Sequence, residues 1–149
     1  LWNKTNIQEG NILVEKALRN GKGTPYAIQA AIASLHNNAV DQTRTDWSQI
    51  YQLYQALVAI DKNPIIQLNA AVALAESGES LTAINKVLAL RKQLETYRHY
   101  NTVLAGLYFK DGQFKSSLAY YQLALTRTTN QNERAFITGR INDCQNTSQ

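Results

Sequence analysis

The strongest constraint on the fold of this chain is a repeated pair of small residues. Gly78 and Gly112 stand thirty-four positions apart, and each follows an alanine by seven positions, Ala71 and Ala105 respectively. Both glycines lie between segments rich in helix-forming residues, where a glycine ends one helix and begins a turn. A small residue at a fixed distance before each turn allows two helices to cross closely. The sequence therefore predicts at least two copies of one helix–turn–helix unit.

Local signals elsewhere predict an all-α protein of about eight helices. Pro25 and Pro64 each suit the first position of a helix, because the N–H that proline lacks would be unpaired there. Thr45 or Asp46 suits the cap of another helix, and Gln49 follows Asp46 at the spacing of a capping box. The predicted helices are Asn3–Arg19, Pro25–Asn38, one capped by Thr45 or Asp46, one opened by Pro64, Ser80–Lys92, two flanking Gly112, and Asn132–Cys144.

Composition limits the class of protein. The 149 residues are 44% hydrophobic, which suits one domain with its own core, so we expect a single domain over residues 1–149. The formal charge is +4, but lysine and arginine are spread along the chain, so the sequence predicts no phosphate-binding stripe. The mildest basic run is Lys86, Arg91, Lys92, Arg98, Lys110 and Lys115.

Three further features bear on the setting in which the protein acts. Cys144 is the one cysteine, which excludes an internal disulfide and suits a reducing compartment, so we expect a cytoplasmic location. Apolar runs stay well short of the ~20 residues that span a bilayer, so no membrane partner is expected. The sequence begins at Leu1 and contains no methionine, so we expect a fragment of a longer protein.

The later unit resembles the tetratricopeptide signature, whose period is about 34 residues. It departs at Ser117 and Thr129, where alanine and proline are common, and the earlier unit has Leu90 where the signature places alanine. The resemblance implies antiparallel helix pairs stacked as a short right-handed superhelix of about three units. The residues that carry it are Leu104, Ala105, Tyr108, Gly112, Phe114, Tyr121, Ala124 and Leu125.

Ordered strings over nearly the whole chain resemble a second, narrower family. This family is a group of extracytoplasmic-function (ECF) sigma factors of bacterial RNA polymerase, which carry a tetratricopeptide-like extension after their DNA-binding regions. The chain departs from it at Ala70, where arginine is usual, and at Thr138 and Gly139, where basic residues are usual. The strings are residues 1–4, 25–33 with His36, 45–50, 63–64, 68–73 and 132–137.

The resemblance implies a regulatory, protein-interaction domain that modulates transcription initiation. Its partners would be the sigma regions of the same protein, core RNA polymerase or a separate regulator. The sequence has neither a helix-turn-helix with basic recognition residues nor an aromatic and basic segment that melts promoter DNA. We therefore expect no specific DNA binding by this chain. Its oligomeric state is left open.

The sequence predicts no catalysis, no metal and no cofactor. His36, His99 and Cys144 lie far apart without the spacing of metal ligands. Gly21 to Thr24 lack the preceding strand and the full spacing of a phosphate-binding loop. A deep pocket with a cluster of titratable groups of perturbed pKa would distinguish an enzyme from a binding domain.

Five polar or aromatic residues are the candidate partner contacts. Asn69 lies among small apolar residues, where it either ties adjacent helices together or binds a partner. Glu133 suits the start of the last helix, which leaves its neighbour Arg134 to reach a partner. The candidates are Tyr26, Gln29, His36, Asn69 and Arg134. The alternative function is a free-standing tetratricopeptide adaptor that holds a peptide or protein partner in its concave groove.

Overall fold

The computed structural model describes residues 25–37 and 46–147, and every regular element in that part of the chain is an α-helix. Most of these helices pack against a helix next to them in sequence, which confirms the predicted all-α class built from helix pairs. The predicted helix Asn3–Arg19 and the residue Thr45 lie outside the described residues. The helices are α1 (Pro25–Asn37), α2 (Trp47–Ile60), α3 (Pro64–Glu76), α4 (Ser80–Leu88), α5 (Arg91–Leu94), α6 (Tyr100–Lys110), α7 (Phe114–Thr126) and α8 (Gln131–Thr147).

The fold divides into two compact units, Leu1–Ser77 and Gly78–Gln149. In the first unit, the starts of α2 and α3 follow the local signals in the sequence. The Asp46 carboxylate accepts a hydrogen bond of 3.1 Å from the backbone N–H of Gln49. The Asn63 side chain accepts one of 2.9 Å from the N–H of Ile65, with Pro64 at the first helical position. Each cap satisfies a donor that the helix itself leaves unpaired.

The core of the first unit is aliphatic. Its buried residues recur at three- and four-residue intervals along α1 and α2, so one stripe of each helix faces the other. Partly buried Trp47, Tyr51 and Tyr54 pack around the edge of this core. Complete burial of each leucine or isoleucine side chain in this core contributes about 1.5–3 kcal/mol of transfer free energy. The residues of this cluster are Ile28, Ala31, Ile32, Leu35, Ile50, Leu53, Leu57 and Ala73.

In the second unit, Gly112 closes the turn between α6 and α7. Its φ of +80° lies in the left-handed region, where glycine has no side chain to clash. The N–H of Gly112 donates to the Phe109 carbonyl at 3.0 Å, and the N–H of Gln113 donates to the Tyr108 carbonyl at 2.9 Å. These two bonds form a Schellman motif, which satisfies the last carbonyls of α6. Gly78, the matching glycine of the predicted repeat, also has a positive φ, of +110°.

The single helix predicted for Ser80–Lys92 is wrong in its second half. Helix α4 ends at Leu88, and the short helix α5 begins at Arg91. The N–H of Leu90 donates a hydrogen bond of 3.0 Å to the Val87 carbonyl. The same carbonyl accepts a second hydrogen bond, of 2.8 Å, from the hydroxyl of buried Tyr100. The Tyr100 hydroxyl therefore meets the helix where it tightens into a turn. That bond joins α4 to α6, so it has no signal in the local sequence.

The core of the second unit combines apolar residues with hydrogen-bonded polar groups. One cluster of its apolar part consists of Ala105, Tyr121, Ala124, Ile137 and Cys144. Fully buried Ser117 donates to the Ala105 carbonyl at 2.7 Å and accepts a hydrogen bond of 3.4 Å from the Cys144 thiol. The serine that replaces the usual alanine of the signature thus links α6, α7 and α8.

Candidate interaction site

Two of the candidate contact residues lie on the solvent side of α1. Tyr26 is 82% exposed, which is unusual for so large an aromatic side chain, and Gln29 is also exposed. Residues three apart on a helix are neighbours on its surface, so this tyrosine and glutamine form one exposed site. His36 belongs to the last turn of α1, but its side chain lies outside the described part.

Asn69 lies on the exposed side of α3, between buried Leu68 and Ala70. Across residues 25–37 and 46–147, its amide has no hydrogen-bond partner. The tie between adjacent helices that was one interpretation of this residue is therefore not found there. An exposed amide carries no burial cost, and Asn69 remains available for an external contact.

Arg134 is exposed, but part of its guanidinium is already engaged. Its Nη1 donates to the carbonyls of Leu125 at 2.8 Å and Thr128 at 2.9 Å. These bonds satisfy backbone oxygens at and beyond the C-terminal end of α7, where a positive charge also complements the helix dipole. Arg134 therefore has a structural role at the α7–α8 connection in addition to any contact with a partner.

Glu133 stabilises the start of α8 in two ways. Its backbone N–H donates to the Asn130 side chain at 2.9 Å, so Asn130 caps this helix. Its carboxylate forms a salt bridge of 3.0 Å with Arg98, from the segment before α6. The prediction that capping and ion pairing account for Glu133 agrees with this geometry.

The second unit contains an open cleft of about 610 Å³, which we call the Asn101 cleft. The segment between α5 and α6 forms one side of it, and the end of α7 forms the other. Arg127 joins the two sides, because its Nη1 donates to the Glu95 carbonyl at 3.2 Å. The residues that line the cleft are Glu95, Thr96, Tyr97, Arg98, Asn101, Ala124 and Arg127.

Asn101 is the unusual residue of this cleft. It is a polar residue that is only 6% exposed, and it lines the cleft. The sequence contained a signal for this residue, because Asn101 precedes Leu104 and Ala105 by three and four residues and so shares the buried stripe of α6. Arg127 had no comparable signal.

A group of tyrosines surrounds Arg91 in the same unit. Tyr108 and Tyr120 stack with ring centroids 5.5 Å apart, and Arg91 donates to the Tyr120 hydroxyl at 3.0 Å. Burial, and to a lesser extent nearby Tyr120, raise the pKa of Tyr108, while Arg91 lowers it in part. Burial likewise raises the pKa of Tyr100. Arg91 and Arg98, two members of the basic run, are thus both engaged within the chain.

The described residues contain no group of three histidine, cysteine, aspartate or glutamate side chains that could hold a metal ion. Across the same part of the chain, no helix is both long and apolar enough to cross a membrane. Cys144 is fully buried. A buried thiol of this kind lacks the exposed, electropositive surroundings of a reactive cysteine.

Comparison with known proteins shows a similarity to a bacterial protein. The chain is 35% identical over 137 residues to an uncharacterized protein of Rhizobium meliloti (strain 1021), and the match covers 92% of the chain. The chain spans about a third of the length of that relative, 32%. No family model matches the chain, and no solved structure matches it.

Proposed function

We propose that the chain is the C-terminal regulatory domain of an ECF-type RNA polymerase sigma factor. It modulates transcription initiation in the cytoplasm through contacts with the sigma regions of the same protein, core polymerase or a regulator. The observation that carries the proposal is the order and spacing of the sequence strings along nearly the whole chain. The chain acts by binding proteins, with no catalysis, cofactor or specific DNA contact of its own.

The exposure of candidate residues supports this proposal. Tyr26 and Gln29 lie in the string over residues 25–33, and Asn69 lies in the string over residues 68–73. All three side chains are exposed, although packing alone would explain only the apolar members of those strings. A large exposed tyrosine is the type of residue that anchors protein interfaces. The relative from Rhizobium meliloti extends well beyond the aligned stretch, which leaves room in that protein for further regions.

A binding experiment tests the proposal. The chain is immobilised, and separately expressed sigma regions and core polymerase are passed over it at moderate salt. Retention of either protein is expected, with Tyr26→Ala weakening it by about tenfold, the size typical of an interface anchor. Arg134→Ala is also expected to weaken it, but that variant needs a thermal melt because Arg134 caps α7.

Lys115→Ala serves as the matched control, because Lys115 is exposed and lies outside the candidate set. Loss of retention with this variant as well would indicate non-specific charge attraction. Failure of both baits to bind would contradict the sigma-factor assignment. The Asn101 cleft would then favour the second candidate function, a free-standing adaptor for a peptide or protein partner.

A further inference from the structure

We propose that a basic surface of the second unit binds the phosphate backbone of double-stranded DNA without reading its sequence. The surface, which we call the basic face, consists of Lys86, Arg91, Lys92 and Lys115 of α4, α5 and α7. None of these residues is a contact named in the proposed function. The inference goes beyond that function, which concerns protein partners, and adds a contact that needs no base recognition.

The first step of the argument is the distribution of charge between the two units. The second unit contains nine lysine and arginine residues and five aspartate and glutamate residues, whereas the first contains six of each class. The formal charge of +4 therefore belongs entirely to the second unit. Within that unit, no acidic residue stands between Glu79 and Glu95. None stands between Asp111 and Glu133 either, and the whole basic face belongs to these two acid-free stretches.

The second step is the packing that joins the two acid-free stretches. The Arg91 guanidinium of α5 donates a hydrogen bond of 3.0 Å to the Tyr120 hydroxyl of α7. A cation of the first stretch therefore lies directly against the second stretch, with Lys92 next to it in the chain. The sequence predicted no phosphate-binding stripe because these residues are separated along the chain. Folding brings the two stretches together.

The third step is the availability of the lysines. Lys86, Lys92 and Lys115 are all exposed, and none of them forms an ion pair within the part of the chain that the structure describes. Arg98 differs from them, because its guanidinium is paired with the Glu133 carboxylate. A lysine ammonium is a compact charge on a flexible stem, so it can reach phosphates without a fixed docking geometry.

The fourth step is the choice of partner. Cations without intervening carboxylates suit a ligand that is negative throughout, and duplex DNA carries one negative charge per about 1.7 Å of its axis. Protein surfaces usually carry both signs of charge, which matches such a face less well. Single strands are bound largely by stacking their bases on open aromatic side chains. Tyr108 and Tyr120 stack on each other instead, with ring centroids 5.5 Å apart, so the duplex is favoured.

Fluorescence anisotropy of two labelled short DNA duplexes of unrelated sequence, titrated with the full chain, tests the inference. Both duplexes should bind equally, with dissociation constants on the order of 10⁻⁴–10⁻⁶ M at physiological salt. A plot of log affinity against log salt should have a slope of about −3 to −4, because each neutralised phosphate contributes about −0.9. A preference of more than about tenfold for one duplex, or binding that does not depend on salt, would overturn the inference.

The same titration compares the duplex with other anionic ligands. The probes are one strand of the duplex, polyglutamate and vesicles of phosphatidylglycerol, each at the same concentration of negative charge. The duplex should bind most tightly. Tighter binding of any of the other three would contradict the choice of partner, since the face would then select a single strand, an acidic polypeptide or a lipid surface.

A triple variant shows whether the basic face carries the binding. Lys86→Gln with Lys92→Gln and Lys115→Gln should weaken binding by about tenfold or more and reduce the salt slope by about 2–3. Arginine at the same three positions keeps the charge and should retain binding within about threefold of wild type. If the arginine variant binds as weakly as the glutamine variant, charge is not the cause and the inference fails.

The matched control removes the same amount of charge from exposed side chains outside the basic face. It combines Lys62→Gln, Arg98→Gln and Lys110→Gln. This control should bind DNA within about threefold of wild type, whereas losses equal to those of the first triple variant would show that net charge alone is responsible.

The outcomes also separate this inference from the proposed function. If wild type retains the sigma regions or core polymerase but binds no duplex, the inference falls and the proposed function stands. Binding of the duplex without retention of either protein gives the reverse.

Discussion

The two units of this protein use different kinds of core. In the first unit, aliphatic side chains from α1 and α2 face each other, with Ala73 of α3 beside them. In the second unit, buried Tyr100, Ser117 and Asn101 bring polar groups inside. The first kind of core gains free energy from removing apolar area from water, without preferred direction. The second kind adds directional hydrogen bonds. Each buried polar group in it needs a hydrogen-bond partner, because burial without one costs free energy.

The comparison teaches where function is to be sought in a helical-repeat protein. A core like that of the first unit presents nothing to a partner, so contacts come from exposed residues such as Tyr26 and Asn69. A core like that of the second unit uses the hydroxyls of Tyr100 and Ser117 in internal hydrogen bonds and places Asn101 beside an open cleft. In this unit, therefore, a polar residue of the core also borders an open surface.

The largest expected effect comes from truncating the first core. Leu53 is fully buried, so Leu53→Ala should lower the free energy of unfolding by about 2–5 kcal/mol, through lost burial and a residual cavity. Ile60→Ala, at a side chain that is 47% exposed near the end of the same helix, should cost much less. Chemical denaturation followed by circular dichroism measures both. Similar losses for the two variants would contradict the aliphatic core described for α1 and α2.

An intermediate effect is expected at the polar core, and it depends on pH. Tyr100→Phe removes the bond to Val87 and should cost about 1 kcal/mol at neutral pH. Burial raises the pKa of Tyr100 above 10.0, so the folded state holds this proton more tightly than the unfolded chain does. The associated stability is present below pH 10 and is lost as the pH rises through the pKa of the folded protein.

The difference in unfolding free energy between wild type and Tyr100→Phe should therefore shrink above pH 10. Urea titrations between pH 7 and pH 11 measure it. Tyr26→Phe, at an exposed tyrosine, is the matched control and should match wild type at neutral pH. A difference that grows with pH would mean that the hydroxyl stabilises the fold when it is ionised, contrary to the geometry.

The smallest effect is expected at the surface of the second unit. Arg98 is 62% exposed, so its pair with Glu133 should contribute about 0.2–1 kcal/mol. A double-mutant cycle with Arg98→Gln and Glu133→Gln isolates the pair from the effect of Glu133 on the helix dipole. The coupling should fall further in 0.5 M salt. A coupling well above that range, and insensitive to salt, would show that the pair belongs to the polar core rather than to the surface.

Local sequence signals predicted most helix starts and ends. Asp46, Asn63 with Pro64, and Gly112 act on the backbone within a few residues of themselves, so they can be recognised without knowing the fold. The break after Leu88 was not predictable in this way. It coincides with a hydrogen bond from Tyr100, 13 residues beyond Val87, and only packing brings those groups together.

The candidate contacts were predicted unevenly for the same reason. Exposure of Tyr26 and Gln29 follows from their positions beside the apolar stripe of α1. The capping bonds of Arg134 depend on the path of the chain between α7 and α8, which the sequence does not define. The Asn101 cleft requires Arg98, Asn101 and Arg127 to meet across two segments. Arg98 and Arg127 are far apart in a sequence whose charged residues are spread along the chain, so no sequence pattern predicted the cleft.

The hydrogen-bonded thiol of Cys144 also gives this protein an internal probe of its own opening. The thiol is fully buried between α7 and α8, and it is the only one in the chain. An alkylating reagent can reach this thiol only while α8 is detached from the rest of the unit. The rate of alkylation therefore measures how often α8 detaches. If detachment requires complete unfolding, the rate follows global stability. If α8 detaches alone, the rate exceeds that limit and reports the lifetime of a partly open state.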